Sequence, residues 1–291
     1  MVKFMVTVIT ITNQKGGTGK TTLSALLAFA LTELNKKVLL IDLDPQAHLS
    51  SFFIKPNDLE NIEGSLHMAL GQRFKIVKIN DRLGIIPSRL DYMVRAYRGE
   101  LPMTRPYAID ERLRRPSRLR MEPAITGRYD YVIIDTPPEL YPPTIWGLYA
   151  ADYIIIPSNL EELSLMGVRL LIKDILPDVF LYSKHEVKVL GIALTNITKR
   201  YRPETIEKIN NAIVKFIRDK IPRTLHNRFY VRPLFKTIIH RHNELRDVVY
   251  RPRRWEIPIS RIMRRNEELF NEVREFGKEV LDRETLFQHL Q

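Results

Sequence analysis

Residues Phe4 to Thr12 form an unbroken β-branched and apolar run with no polar face. That pattern predicts a central strand of a parallel sheet, covered on both sides. A glycine-rich turn follows, then helical periodicity from Thr21 to Leu34. The apolar strand pattern returns at Val38 to Ile41, Leu83 to Ile86, Tyr131 to Ile134, Tyr153 to Ile156 and Val189 to Leu194. Helical stretches lie among them, including Leu160 to Leu176, Pro203 to Lys220 and Ile259 to Leu286. Strands alternating with helices predict an α/β fold: a doubly wound, mostly parallel sheet flanked by helices, with ligands bound at the carboxyl ends of the strands. No repeat, low-complexity tract or interdomain linker stands out. Residues 1–291 therefore read as one domain, with a helical insertion at 88–128 and a basic, helix-rich part from about 199 to 291.

Composition narrows the chemistry. The 291 residues include no cysteine, which removes disulfides, thiolate metal sites and cysteine nucleophiles. No stretch reaches the roughly 18 consecutive apolar residues of a membrane span. Met1 to Thr12 resembles a signal peptide only at its start, since Asn13-Gln14-Lys15 follows instead of a small-residue cleavage site; a buried strand of a cytoplasmic protein is expected. Charge is uneven. Residues 1–181 carry 22 basic and 20 acidic side chains, residues 182–265 carry 21 and 7, and residues 266–291 carry 3 and 7, within a net charge of +12. An excess confined to 84 residues suits a surface that meets a polyanion, with nucleic acid the obvious candidate. A smaller cluster, Arg112, Arg114, Arg115, Arg118 and Arg120, falls in the insertion and fits a solvated helix face.

Lys15-Gly16-Gly17-Thr18-Gly19-Lys20-Thr21-Thr22 sits between the first strand and the first helix, the context that a phosphate-binding loop requires. Glycines let backbone N–H groups turn toward phosphate oxygens, the helix N-terminus adds a positive dipole, Lys20 reaches the terminal phosphates and Thr21 offers a hydroxyl to Mg²⁺. Gln14 stands where the general pattern has its leading glycine, and Lys15 is an extra lysine. It is poorly placed for its own site and suits another subunit. Two further strands end in acids: Leu40-Ile41-Asp42-Leu43-Asp44-Pro45-Gln46, and Tyr131-Val132-Ile133-Ile134-Asp135-Thr136-Pro137-Pro138. The second has the form in which Asp135 holds Mg²⁺ through water.

These motifs, in this order and each at a strand's end, resemble the deviant Walker A ATPases, the P-loop group that contains ParA and MinD. The resemblance implies ATP and Mg²⁺ as cofactors and a nucleotide-sandwich homodimer in which Lys15 is the trans lysine and Lys20 the cis one. It also implies that Asp42 lies near the Mg²⁺ shell and that Asp44 orients the attacking water. Pro137 and Pro138 resemble the family's switch segment, and Ile154-Ile155-Ile156-Pro157 with Glu161, Glu162 and Gly167 its P-x-x-x-E…G segment. Asn196 falls where relatives place adenine-contacting residues, though a strand-end cap serves as well. Phe235 to Leu245 is similar to a late ParA segment.

Among relatives, MinD-like members end in a basic amphipathic membrane helix, whereas residues 266–291 here are acidic, so no membrane partner is expected. The first strand begins near residue 4, as in short ParA proteins without an N-terminal DNA-reading domain. The ParA resemblance implies a DNA partition ATPase: a weak ATP hydrolase, nucleoid-associated, whose ATP-bound dimer binds nonspecific DNA and is released after hydrolysis stimulated by a centromere-binding, ParB-like adaptor. Lys199, Arg200, Arg202, Arg223, Arg228, Arg232, Arg251, Arg253, Arg254, Arg261, Arg264 and Arg265 are the candidate phosphate contacts, chosen by charge density. A metabolic ATP-dependent ligase or synthetase of the same fold, and a DNA-binding scaffold whose nucleotide only stabilises it, are the alternatives.

Overall fold

The computed structural model describes residues 6–59, 62–69, 73–89, 125, 127–140, 142–183, 185–199, 201–245 and 259–289. Eight strands build one sheet in the order β3-β4-β2-β5-β1-β6-β7-β8. They are β1 (Thr7–Ile11), β2 (Val38–Asp42), β3 (Val77–Lys78), β4 (Leu83–Ile86), β5 (Tyr131–Asp135), β6 (Tyr153–Ser158), β7 (Lys188–Ile197) and β8 (Leu234–His240). All pairs are parallel except β3 with β4. β1 is central, flanked by β5 and β6, so the loop leaving it opens where the chain changes direction across the sheet.

Burial on both faces explains why the central strands show no alternation. Ile9 and Ile11 of β1 point into a core formed with helix α1 (Lys20–Glu33), while Val8 points into a second core with Trp146 and Ala150 of α5 (Pro142–Ala150). A third core joins β6 and β7 to α6 (Glu162–Leu170), α7 (Leu176–Tyr182) and α8 (Pro203–Lys220). Short helices α2 (His48–Ser51), α3 (Pro56–Leu59) and α4 (Ser65–Ala69) follow β2.

α1 is buried nearly all round because α10 (Glu267–His289) covers its outer face. Leu269, Val273, Phe276, Val280 and Phe287 recur at helical spacing and enter the core with α1. Contact is close at one point: a Cβ added to Gly277 would lie 2.7 Å from that of Ala30. α10 also closes the exposed edge of β8. Glu279 accepts hydrogen bonds from the Lys236 and Thr237 N–H groups, each at 2.8 Å, and Glu272 accepts one from His240 N at 3.0 Å. Seven residues is two turns, so both carboxylates lie on one face, and edge donors that could pair with another chain are occupied. One turn beyond Glu279, Arg283, 1% exposed, donates to the Leu190, Arg232 and Leu234 carbonyls and lies against the rings of Tyr230 and Phe235.

The helical run expected over Leu160 to Leu176 is instead interrupted by a π turn at Leu171–Ile175. Pro177 has no N–H for the preceding turn, and the chain widens before restarting as α7. The run Ile259 to Leu286 is two helices, α9 (Ile259–Arg265) and α10, which meet at Asn266. β3 and β8 are the strands that periodicity missed: one has two residues and the other carries Lys236, Thr237 and His240 at the edge. Most of the expected insertion at 88–128, with its arginine cluster, lies outside the described residues.

Replacing Gly277 with valine should force α10 off α1 and cost about 1–3 kcal/mol, as overpacking does. Chemical denaturation measures it, and Ala30→Gly in the same chain should restore part of the loss; an unchanged midpoint would contradict this packing.

Candidate nucleotide site

The loop from Asn13 to Lys20 is fastened to two neighbouring strands before any ligand is considered. Asn13, 1% exposed, donates from Nδ2 to the Pro157 carbonyl at the end of β6 (2.6 Å) and accepts Lys15 N–H at Oδ1 (3.2 Å). Thr195, near the end of β7, donates from Oγ1 to the Thr18 carbonyl at 2.7 Å. Gly17 and Gly19 have φ of 76° and 85°, the left-handed region that favours glycine. A Cβ on Gly19 would also come within 2.9 Å of Thr195 Oγ1. α1 begins at Lys20 with no side-chain cap and no acid in its first turn, so its leading N–H groups and positive dipole face the loop's cavity.

Lys20 is 6% exposed, and its ammonium donates to the Lys15 carbonyl at 3.0 Å. Burial lowers its pKa, while Asp135, Asp44 and Glu139 oppose that shift. A cation so held is ready to exchange a carbonyl for phosphate oxygens.

Strand register sets the carboxylates. Asp42 pairs with Asp135 across β2 and β5, so two fully buried acids stand side by side at the strand ends. Burial raises the Asp135 carboxyl to about 7, against the opposing Thr21 and Ser24 hydroxyls. Ser24 Oγ donates to its Oδ1 at 2.9 Å, whereas Oδ2, equally buried, has no hydrogen-bond partner. A buried, unpartnered oxygen beside a hydroxyl and a phosphate loop fits a hard cation such as Mg²⁺. Asp42 is also raised well above the usual carboxylate range, first by burial and then by Asp135. Both its oxygens are engaged: Oδ1 accepts Asp44 N–H at 3.0 Å, and Oδ2 accepts Ser50 N–H at 2.8 Å and Ser50 Oγ at 2.7 Å. The bonds it makes shape the turn that carries Asp44. Asp44 caps its own turn through Gln46 N–H at 2.9 Å.

A cavity of about 920 Å³ opens above these groups, within the range of small-molecule and cofactor sites, about 300–1,000 Å³. Gly16, Gly17, Gly19, Lys20, Thr21, Thr22, Asp44 and Asn196 line it. Thr18, Asp42 and Asp135 stand behind the wall, and Lys15 is outside it. Asn196 adopts φ 57° and accepts Arg241 Nε at 3.0 Å. Sequence reasoning missed Glu139, His240 and His242 on the wall. The histidines carried no signal because they reach the cavity only through the placement of β8.

The basic candidates divide between the two ends of the sheet. Lys199 and Arg202 follow the carboxyl end of β7, and Lys199 pairs with Glu268 at 2.5 Å. Arg223, Arg228 and Arg232 precede β8 at the opposite end; Arg228 faces Glu186 at 3.2 Å and Arg232 bonds Glu207 at 2.6 Å. Arg261, Arg264 and Arg265 are exposed on α9. Arg200, Arg251, Arg253 and Arg254 lie outside the described residues.

Residues 6–180 match the model of a family described as an AAA domain. The chain is 33% identical over 196 residues to the chromosome-partitioning ATPase Soj of Thermus thermophilus, covering 67% of this chain and 71% of that protein. The chain belongs to the ParA/MinD-type P-loop ATPases. As in that fold, an eight-stranded, mostly parallel sheet carries the loop. A structure of pNOB8 ParA bound to nonspecific DNA superposes with a TM-score of 0.75 at 23% identity over 96% of this chain and 98% of that one. Cobyrinic acid a,c-diamide synthase from Mycobacterium smegmatis, with a bound ATP analogue and magnesium, gives 0.60 at 27% identity over 89% and 95%. The ATPase family thus includes members that hold nucleotide and magnesium.

Asp135 supplies a pH test. Its folded pKa is raised from 3.8 to about 7, so its stabilising contribution is complete below about pH 4 and is lost as pH rises through about 7. Without nucleotide, the denaturation midpoint of the wild type should fall across that window relative to Asp135→Asn. Parallel pH profiles would refute the shift.

Proposed function

We propose that this ParA/MinD-type ATPase is a DNA partition ATPase. Its Mg·ATP-bound homodimer binds nonspecific DNA and releases it after hydrolysis stimulated by a centromere-binding, ParB-like adaptor. The observation that carries this reading is the position of Lys15: the rest of the loop's lysine and glycines line their own cavity, and Lys15 does not. Near it, Gly167 packs within 3.6 Å of the Lys15 side chain, measured from an added Cβ, and its helix exposes Met166 and Leu170. Exposed apolar side chains on the helix beside a lysine that does not line its own cavity suit a second protomer that receives the lysine in trans.

Within each site Lys20 and the first-turn N–H groups hold the terminal phosphates. Thr21, and Asp135 through water, would hold Mg²⁺, which when bound neutralises charge on phosphate oxygens. Asp42 fixes the turn that lets Asp44 orient the attacking water; positioning does most of the work in phosphoryl transfer. Asn196 and Arg241 stand at the end suited to the base. Lys199, Arg202, Arg261, Arg264 and Arg265 are the exposed DNA candidates nearest the cavity end, and they serve as phosphate contacts. No helix among the described residues is long and apolar enough to cross a membrane; in this reading the protein is cytoplasmic and nucleoid-associated. Residues 1–291 act as one ATPase domain in this reading.

The likeness to a diamide synthase favours one alternative, a metabolic ligase. Binding to a random-sequence duplex across a salt series, without nucleotide and with Mg·ADP or Mg·ATP, separates the two. ATP-dependent binding that weakens steeply with salt is expected; indifference to nucleotide, with fast turnover of a small substrate, would overturn the partition reading. Lys20→Ala should abolish nucleotide binding. Asp44→Ala should bind DNA with ATP yet hydrolyse at least about a hundredfold more slowly, the lower range for a positioned catalytic group; normal hydrolysis would remove its role.

A further inference from the structure

A chain of hydrogen bonds leaves the nucleotide cavity on the side of β8 and ends at the helix that carries three exposed arginines. His240 and His242 are part of the cavity wall. Glu272 of α10 holds both rings, with Oε1 2.6 Å from His240 Nδ1 and Oε2 3.0 Å from His242 Nε2. A carboxylate accepts, so the Nε2 of His242 carries a proton; in the neutral ring Nδ1 is then an acceptor. Facing it at 3.2 Å is the amide Nδ2 of Asn266, whose other contact is Glu244 Oε1 at 3.2 Å.

Asn266 is the corner between α9 and α10. Its N–H bonds the Ile262 carbonyl at the end of α9 (3.2 Å), its Oδ1 accepts Leu269 N–H (2.9 Å), and its carbonyl accepts Phe270 N–H (3.0 Å). α10 is held along its length by α1, Arg283, Glu279 and Glu272. α9 has seven residues and is anchored by buried Ile262 and Met263. Of the two helices, the short one is therefore the element that a pull on Asn266 can reorient. It presents Arg261, Arg264 and Arg265, all exposed.

We propose that Asn266 is a positioning residue that couples the two ligands: nucleotide contact with His242 is passed through the Asn266 amide to set the orientation of α9 and its arginines. DNA affinity thereby follows nucleotide state through this corner. The inference rests on the DNA-binding reading above and adds the residue that transmits the switch. Asn266 lines no part of the cavity and has no role in hydrolysis.

The test uses the full chain carrying Asn266→Ser. Serine caps α10 about as well as asparagine, but its hydroxyl is too short to reach His242. Asn266→Asp, which keeps the cap and cannot donate, is the second variant. Mg·ATP affinity and thermal midpoint should stay near wild type, while the ratio of duplex affinities with ATP and ADP should fall by about fivefold or more, the low end of measured couplings. A ratio retained by both variants overturns the coupling. Hydrogen exchange in Ile259–Arg265 separates this from failure of the DNA reading itself. If the wild type binds no DNA, ATP-dependent protection of α9 that is lost in Asn266→Ser still supports the corner, and no ATP-dependent change in wild-type α9 overturns it.

Discussion

Two carboxylates share adjacent positions on parallel strands beneath a cationic loop, and the site is built around that pairing. Asp42 and Asp135 are in register because β2 and β5 are neighbours, and both are out of water because the sheet is covered on both faces. Isolated ionised carboxylates in such a place would be costly, so they are either protonated or offset by partners. At Asp42 burial outweighs the hydrogen bonds of the turn it organises, and its carboxyl stays raised. Asp135 keeps one oxygen without a hydrogen bond, and the fold leaves that acceptor for a ligand.

The sheet is reinforced from outside its β8 edge. α10 does three structural jobs with one face: it covers α1 through Gly277 and Phe276, occupies edge donors of β8 through Glu279 and Glu272, and inserts Arg283 among the carbonyls at the start of β8. The same helix then reaches the cavity wall through two histidines. Stability and ligand response are thus built into one element, with the rigid part toward its C-terminus and the corner at Asn266 toward the arginines.

The central fold and the phosphate loop could be read from the chain because both rest on local rules. Unbroken apolar runs mark strands covered twice, and glycines at positive φ mark a loop that wraps an anion. Asp135 was visible for the same reason, as an acid closing an apolar strand. The occupation of Asp42 was not, since its partner Ser50 lies eight residues on and only the turn brings it back. His240, His242 and Glu272 were hidden for a stronger reason: their meeting depends on how α10 crosses the edge strand, which periodicity does not encode. Charge density grouped twelve basic residues, yet a crossover helix, α8, carries the chain from one end of the sheet to the other between Arg202 and Arg223. One count along the sequence becomes two surfaces.

In the proposed site, where Asp135 holds Mg²⁺ through water, its buried carboxyl gives up a proton as Mg·ATP binds. Calorimetric titration of Mg·ATP in buffers of different ionisation enthalpy measures that directly. With a carboxyl near 7, binding at pH 6.5 should release about three-quarters of a proton, falling toward zero by pH 8.5, with none attributable to this group in Asp135→Asn. Release that is absent at pH 6.5, or equal in wild type and variant, would contradict the claim.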